Sequence, residues 1–213
     1  MIKTTPIMMQ PQTSDLLQAI DDVSSNVLSV NNLSRDMEKR DKVLSQIEEL
    51  LSVAEEYKSQ VQSSDAPSKC ANRILSIELT LECWQHELEM WNDLRNEEWG
   101  SAWDNMVHAQ LASQNALQAD KLGEKLGMRK YHRRLNTIEE LLFPDQLFTS
   151  PGMKTGTAIC SICDEEYSQC PHIKGRAYNG EMCITELRDI TEVDHIALVE
   201  DPANKLQRVT SLE

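Results

Sequence analysis

With 213 residues the chain is long enough for one good core, or for one domain plus a small appendage. Its hydrophobic share of 40% is ordinary for a folded protein, while a formal charge of −14 repels a phosphate backbone, so nucleic acid is disfavoured and protein partners or self-association are favoured. No run approaches the roughly 18 apolar residues a membrane span requires, and residues 1–9 lack the apolar core and cleavage pattern of a secretory leader, which places the chain in the cytoplasm.

All seven glycines stand at residue 100 or later, and the first hundred residues hold only Pro6, Pro11 and Pro67. A stretch of that kind, rich in Leu, Glu, Gln, Ser and Lys, reads as long helices with few tight turns. Thr13, Ser14 and Asp15 offer caps ahead of a first apolar stripe, Leu16, Ile20, Val23, Val27 and Val30. A second stripe runs Val43, Ile47, Leu50, Leu51, Ala54, Tyr57 and Val61, and the polar run 62–68 breaks it. The third, Ile74, Ile77, Leu81, Trp84, Leu88 and Trp91, alternates steps of three and four and forms a seam facing another helix. Gly100 then ends or kinks the helix between Trp99 and Trp103, for which a larger share of partner contact is expected than for the mid-seam Trp84. The next segment sets Trp103, Met106, Ala109, Ala112, Ala116 and Ala119 along one face. Gly123 and Gly127 punctuate it, and a fifth stripe, Met128, Tyr131, Leu135, Ile138 and Leu142, stops at Phe143-Pro144. The fold class is therefore mainly α. Residues 1–148 form an antiparallel helical bundle, with a dimeric coiled coil as the rival way of burying the same stripes.

Beyond Phe148 the texture changes. Residues 149–156 have the composition of a linker, Tyr178-Asn179-Gly180-Glu181 contains an Asn-Gly hairpin signal, and residues 193–199 read as a strand. Residues 149–213 are thus expected to be a small β-rich zinc-binding module.

The chemically specific statement lies within that module. Cys160, Cys163, Cys170, His172 and Cys183 fall in the pattern Cys-x2-Cys-x6-Cys-x-His-x10-Cys. Thiolates and an imidazole in a short, turn-rich stretch suit a tetrahedral Zn²⁺, and two residues between Cys160 and Cys163 let both sulfurs reach one ion at about 2.3 Å. Pro171 can bend Cys170 and His172 onto the same ion. The preferred ligand set is Cys160, Cys163, Cys170 and His172, with Cys183, arriving from the second hairpin strand, as the substitute for either later ligand. In a reducing compartment such a cluster reads as metal ligands rather than disulfides. A redox pair would need a βαβ setting and a helix N-terminus that the sequence does not display. Cys70 and Cys83 lie inside helical sequence and read as small buried hydrophobes.

These residues carry a resemblance. Cys160-Ser161-Ile162-Cys163, the run 170–183 and the run 196–204 together resemble a zinc-ribbon-like module of uncharacterised bacterial and prophage proteins. The last strand, with Ile196-Ala197-Leu198-Val199 and then Pro202-Ala203, is similar to a strand of phage prohead maturation proteases. The resemblance covers roughly the last fifty residues and implies a phage or bacterial origin. Where those proteases carry a serine this chain has Ala197, so it implies no peptidase chemistry.

Weaker signals take bland readings. Residues 129–134 are the only basic cluster, and Tyr131 sits on the inward stripe of its helix, leaving the charges on the solvated face. His86, His108 and His195 have no ligand or catalytic partner at a recognisable spacing, and no phosphate loop or nucleophile elbow occurs. The expectation is a cytosolic, non-catalytic zinc protein for interaction or assembly. The alternatives are a nucleic-acid-associated zinc protein, using the basic helix with Lys174 and Arg176, and a degenerate relative of the prohead proteases.

Overall fold

The structure, a computed structural model, describes residues 10–30, 36–64, 66, 68–143 and 146–210. Among these the chain is mainly α. Helices α1 (Gln10–Val30), α2 (Met37–Gln62), α3 (Ser68–Arg95), α4 (Trp99–Ala119), α5 (Leu122–Lys125) and α6 (Met128–Leu142) precede strands β1 (Phe148–Cys160), β2 (Ala177–Tyr178), β3 (Glu181–Met182) and β4 (Thr185–Val199).

The apolar stripes become the core. Leu16, Ile20, Val23, Val27 and Val30 of α1 are all buried, and so are Ile74, Ile77, Leu81, Trp84 and Leu88 of α3. Trp91 is half-buried against them. Side-chain bonds give the helix directions. Ser76 bonds the carbonyl of Ala116 and His86 meets Asn105, so α3 and α4 run oppositely. Lys58 pairs with Glu78 while Arg40 reaches Asn92, which makes α2 antiparallel to α3. Gln110 bonds Asn136 and Ser113 meets His132, setting α4 against α6 in the same way.

Three local expectations are corrected. Helix α1 already begins at Gln10, so Thr13, Ser14 and Asp15 lie within it rather than capping it. Pro11 suits that earlier start, since the first helical turn needs no backbone donor. Gly100 neither ends nor kinks a helix: α3 stops at Arg95, and Gly100 falls in the first turn of α4. Trp103 is core and not a partner surface. It is 1% exposed, its ring packs near Phe143 and Phe148, and its indole N–H donates to the carbonyl of Lys205. Trp99 is 52% exposed.

The segment with the composition of a linker is strand. Residues 149–156 belong to β1, which pairs antiparallel with β4 along its whole length. Proline and glycine suggested a coil, but in a two-stranded ribbon each strand is an edge, where Pro151 need not donate to a ladder. The expected boundary after residue 148 therefore falls inside a strand, and Phe148, 3% exposed, belongs to the helical core.

Candidate metal centre

The ribbon delivers the site. Cys160 is the last residue of β1, opposite Thr185 at the start of β4, so the intervening loop leaves and re-enters at one end of the ladder. The loop first makes a tight knuckle: the Asp164 amide donates to the Cys160 carbonyl at 2.9 Å, and the Cys160 amide to the carbonyl of Glu165 at 2.9 Å. Asp164 closes the knuckle in the left-handed region (φ 56), which an aspartate tolerates better than most side chains. Ser161 clips the far side, its amide donating to the Ile184 carbonyl and its hydroxyl accepting from the Ile184 amide.

The later candidates are positioned by the hairpin that the Asn-Gly pair announced. Strands β2 and β3 pair across Asn179 (φ 48) and Gly180 (φ 83), two successive left-handed residues, as a two-residue hairpin turn demands. Cys183 follows immediately and is fixed from both sides: its amide donates to the Arg176 carbonyl and its carbonyl accepts from the Gly175 amide, each at 2.8 Å. Tyrosines brace the loop segment just after His172. The Tyr178 hydroxyl accepts from the Ile173 amide and that of Tyr167 from the Lys174 amide, while the Tyr178 ring stands edge-on to His172 at 4.5 Å.

The ligand atoms of Cys160, Cys163, Cys170 and His172 all lie within 4.8 Å of one another, close enough to hold a metal ion. Cys160 Sγ is 3.7 Å from His172 Nδ1 and 3.7 Å from Cys183 Sγ. All five sequence candidates are thus brought together. Cys160 and Cys183 have no exposed surface, whereas Cys163, Cys170 and His172 are half-buried.

The protons of the metal-free site are unevenly held. Burial pushes the Cys160 thiol up, but the amides of Ile162 and Cys163 and the neighbouring thiols outweigh it, bringing it down to about 6. Burial and the Cys160 thiolate push Cys183 up to about 11, and burial likewise raises Cys170. One sulfur is therefore ready as an anion at neutral pH, and a cation that displaces the remaining protons relieves the crowding.

The other singled-out residues stand apart. Cys83 is buried in α3 and Cys70 half-buried. His195 pairs with Gly152, eight residues up β1 from Cys160, or about 26 Å at strand spacing. Arg129, Lys130 and Arg133 are exposed on α6.

Arg134 is not on the solvated face. It turns inward to pair with Glu87, a carboxylate with 0% exposure that also accepts from the Tyr131 hydroxyl and, at 3.2 Å, from the Trp91 indole. Burial lowers the basicity of Arg134, and the Glu87 charge more than restores it. Glu87 carries no sequence signal, because its partners on α6 lie more than forty residues away.

No protein-family model, no curated protein and no solved structure matches this chain.

Proposed function

We propose that this chain is a non-catalytic zinc protein of the cytosol that serves interaction or assembly, of bacterial or phage origin, with a helical bundle followed by a zinc-stabilised C-terminal module rooted on it through Phe148. One observation carries the reading: Cys160, Cys163, Cys170 and His172 present their ligand atoms within 4.8 Å of each other. Three thiols and an imidazole suit Zn²⁺ better than oxygen-seeking Mg²⁺ or Ca²⁺. Zinc–sulfur bonds of about 2.3 Å at tetrahedral angles give a sulfur–sulfur edge of about 3.8 Å, which the 3.7 Å between Cys160 and Cys183 nearly matches. Five donors then serve four positions, with Cys183 as the substitute for Cys170 or His172.

A catalytic zinc keeps a position open for water, whereas this ligand set closes the ion. The nearby acids Asp164, Glu165 and Glu166 are exposed. Partner binding fits a chain that leaves Trp99, Leu28, Leu111 and Leu141 exposed on its helices. Elemental analysis of protein purified without chelator tests the reading. One zinc per chain is expected, abolished by Cys160→Ser or Cys163→Ser and retained in Cys70→Ser and Cys83→Ser; metal-free wild-type protein overturns it.

A second reading, a nucleic-acid-associated zinc protein, draws on one groove. Arg129, His132 and Arg133 line it with Gln114 and Gln118, and Gly175, between Lys174 and Arg176, packs against the Gln118 side chain. Salt-dependent binding to DNA or RNA favours this reading over the first.

A further inference from the structure

The β1–β4 ladder sorts the ribbon's side chains onto two faces, because residues paired across an antiparallel ribbon point the same way. One face carries Phe148 with Val199, Gly152 with His195, and Lys154 with Glu192. Its base belongs to the core through Phe148 and Val199. Further along, the His195 ring lies over Gly152, where any Cβ would run into it, and Lys154 pairs with Glu192 at 2.7 Å. The opposite face carries four rows in succession, Thr149 with Leu198, Pro151 with Ile196, Met153 with Val193, and Thr155 with Ile190, before it turns charged at Thr157 with Arg188 and Ile159 with Glu186.

Strict alternation would split this second set, since Val193 is odd-numbered while Ile190, Ile196 and Leu198 are even. Two bulges prevent that. Asp194 and Thr191 are extra residues on β4 with no paired position on β1, and the register shifts once at each. The first turns Val193 onto the face of Ile196, and the second returns Ile190 to it. The result is a continuous apolar stripe left open to solvent, with Ile190 55%, Val193 58%, Ile196 66% and Leu198 55% exposed. A two-stranded ribbon with one uncovered apolar face is marginal alone in water.

Charge and order within the stripe identify what covers it. In a chain of net charge −14, its four rows contain no ionisable group. A partner recognised through its charge has nothing to pair with there, whereas two copies can meet on these rows with no like charges brought into contact. The rows also read alike from either end: a threonine with an aliphatic, two apolar residues, two apolar residues, a threonine with an aliphatic. A two-fold axis between the middle rows sets each row against its like, so the patch is complementary to itself, as an isologous interface requires. We propose that the face of Thr149, Met153, Ile190, Val193, Ile196 and Leu198 binds the same face of a second copy of this chain. The anchored face stays on the helices, so dimerisation needs no refolding.

Sedimentation of the full-length protein at micromolar concentration tests this, with zinc content and helical circular dichroism measured on every sample. A dimer is expected. Val193→Asp and Ile196→Asp should each weaken it by at least about tenfold while leaving zinc and helicity unchanged. Thr155→Asp, on a half-buried polar position of the same face, should weaken it as well, and covers the case in which the other two misfold. Glu192→Gln, on the opposite face, should not. A monomeric wild type, or a dimer indifferent to the aspartate variants, overturns the proposal. Loss of zinc with the dimer intact overturns only the metal reading.

Discussion

The helical part and the C-terminal part are stabilised by different physics. The helices bury more than two dozen apolar side chains, from Leu16 to Phe143, in one continuous cluster. Among the described residues from Phe148 onward, the fully buried apolar side chains are Phe148, Cys160 and Cys183. Phe148 belongs to the helical core, and the other two are candidate metal ligands. The first region thus has the burial that stabilises an ordinary domain, at roughly 1.5–3 kcal/mol per large apolar side chain. The second has hydrogen bonds, an edge-on aromatic contact and a cage of sulfur. A short segment with no core of its own needs another cross-link, and a structural zinc contributes about 10–16 kcal/mol in small fingers.

The sharpest way to break this comparison is to remove the proposed zinc. Cys160→Ser, or a strong chelator, should unfold the loop 161–184 and leave the helices standing. Amide exchange should show the contrast. Protection at Cys160, Ser161 and Cys183, whose amides are bonded within the loop, should collapse, while α3 and α4 keep theirs. Equal loss of protection in both regions would mean that the metal stabilises the whole molecule.

The next largest effect lies inside the helical part. Glu87→Ala leaves Arg134 without the charge it turned inward to meet, and breaking a buried pair costs about 3–5 kcal/mol. Arg134 keeps 30% of its side chain exposed, so it can partly escape to water and the low end, about 3 kcal/mol, is expected. Thermal melts should show a drop of several degrees. The double variant Glu87→Leu with Arg134→Leu should recover much of it, because two well-packed apolar residues replace a pair that had to be desolvated. A single variant as stable as wild type would show that the ion pair contributes nothing.

The sequence revealed these regions unequally, for a physical reason. Helical burial writes a period into the chain, so Ile74, Ile77, Leu81 and Trp84 could be placed in the core by spacing alone. Closely spaced cysteines and an Asn-Gly turn are also local, so the clustering of Cys160 with Cys163 and the hairpin at Asn179 were legible for the same reason. The rest depends on contacts between distant segments. The run 149–156 looks like a linker until β4 pairs with it, Trp103 looks like surface until Phe148 and Lys205 cover it, and Glu87 has no visible partner until α6 brings Tyr131 and Arg134.

A smaller effect concerns the seam between the regions. Asn72 of α3 accepts from the Gly180 amide at 2.8 Å and donates to the Ala177 carbonyl at 2.9 Å, while Ser68 and Gln62 hold Asn179. Gly180 fits there because its positive φ and the nearby Ala71 leave no comfortable room for a Cβ. Asn72→Ala removes two bonds at about 0.5–1.5 kcal/mol each. The module should loosen from α3, seen as faster exchange at Gly180, with zinc content unchanged. Loss of zinc in this variant would mean that the helices help to build the metal site and do not merely receive it.

The smallest expected effect is a pH dependence confined to the helices, with opposite signs at two histidines. Burial lowers the pKa of His86, but Glu89 and Asn105 at its Nδ1 and the charges of Glu89 and Glu82 outweigh that, leaving it raised; His108 is its ring neighbour at 5.1 Å. A raised folded-state pKa means stabilisation that is full below the ordinary value of 6.5 and lost as pH climbs through the folded value. For His132 burial dominates, aided by Lys205 and opposed by the Gln110 carbonyl and Glu139, and its pKa is lowered. Its imidazole, bonded to Ser113 at 2.8 Å, is favoured neutral, so its contribution is present above 6.5 and lost as pH falls through the folded value. Melting temperatures across pH 5–8, the window in which histidine titrates, should separate the two. Relative to wild type, His86→Gln should lose most stability at the acid end, because it removes a contribution present only there. His132→Gln should lose most at the neutral end, since it removes the bond that the neutral ring makes. Parallel profiles for the two variants would mean that the α3–α4 and α4–α6 seams hold their histidines in the same charge state.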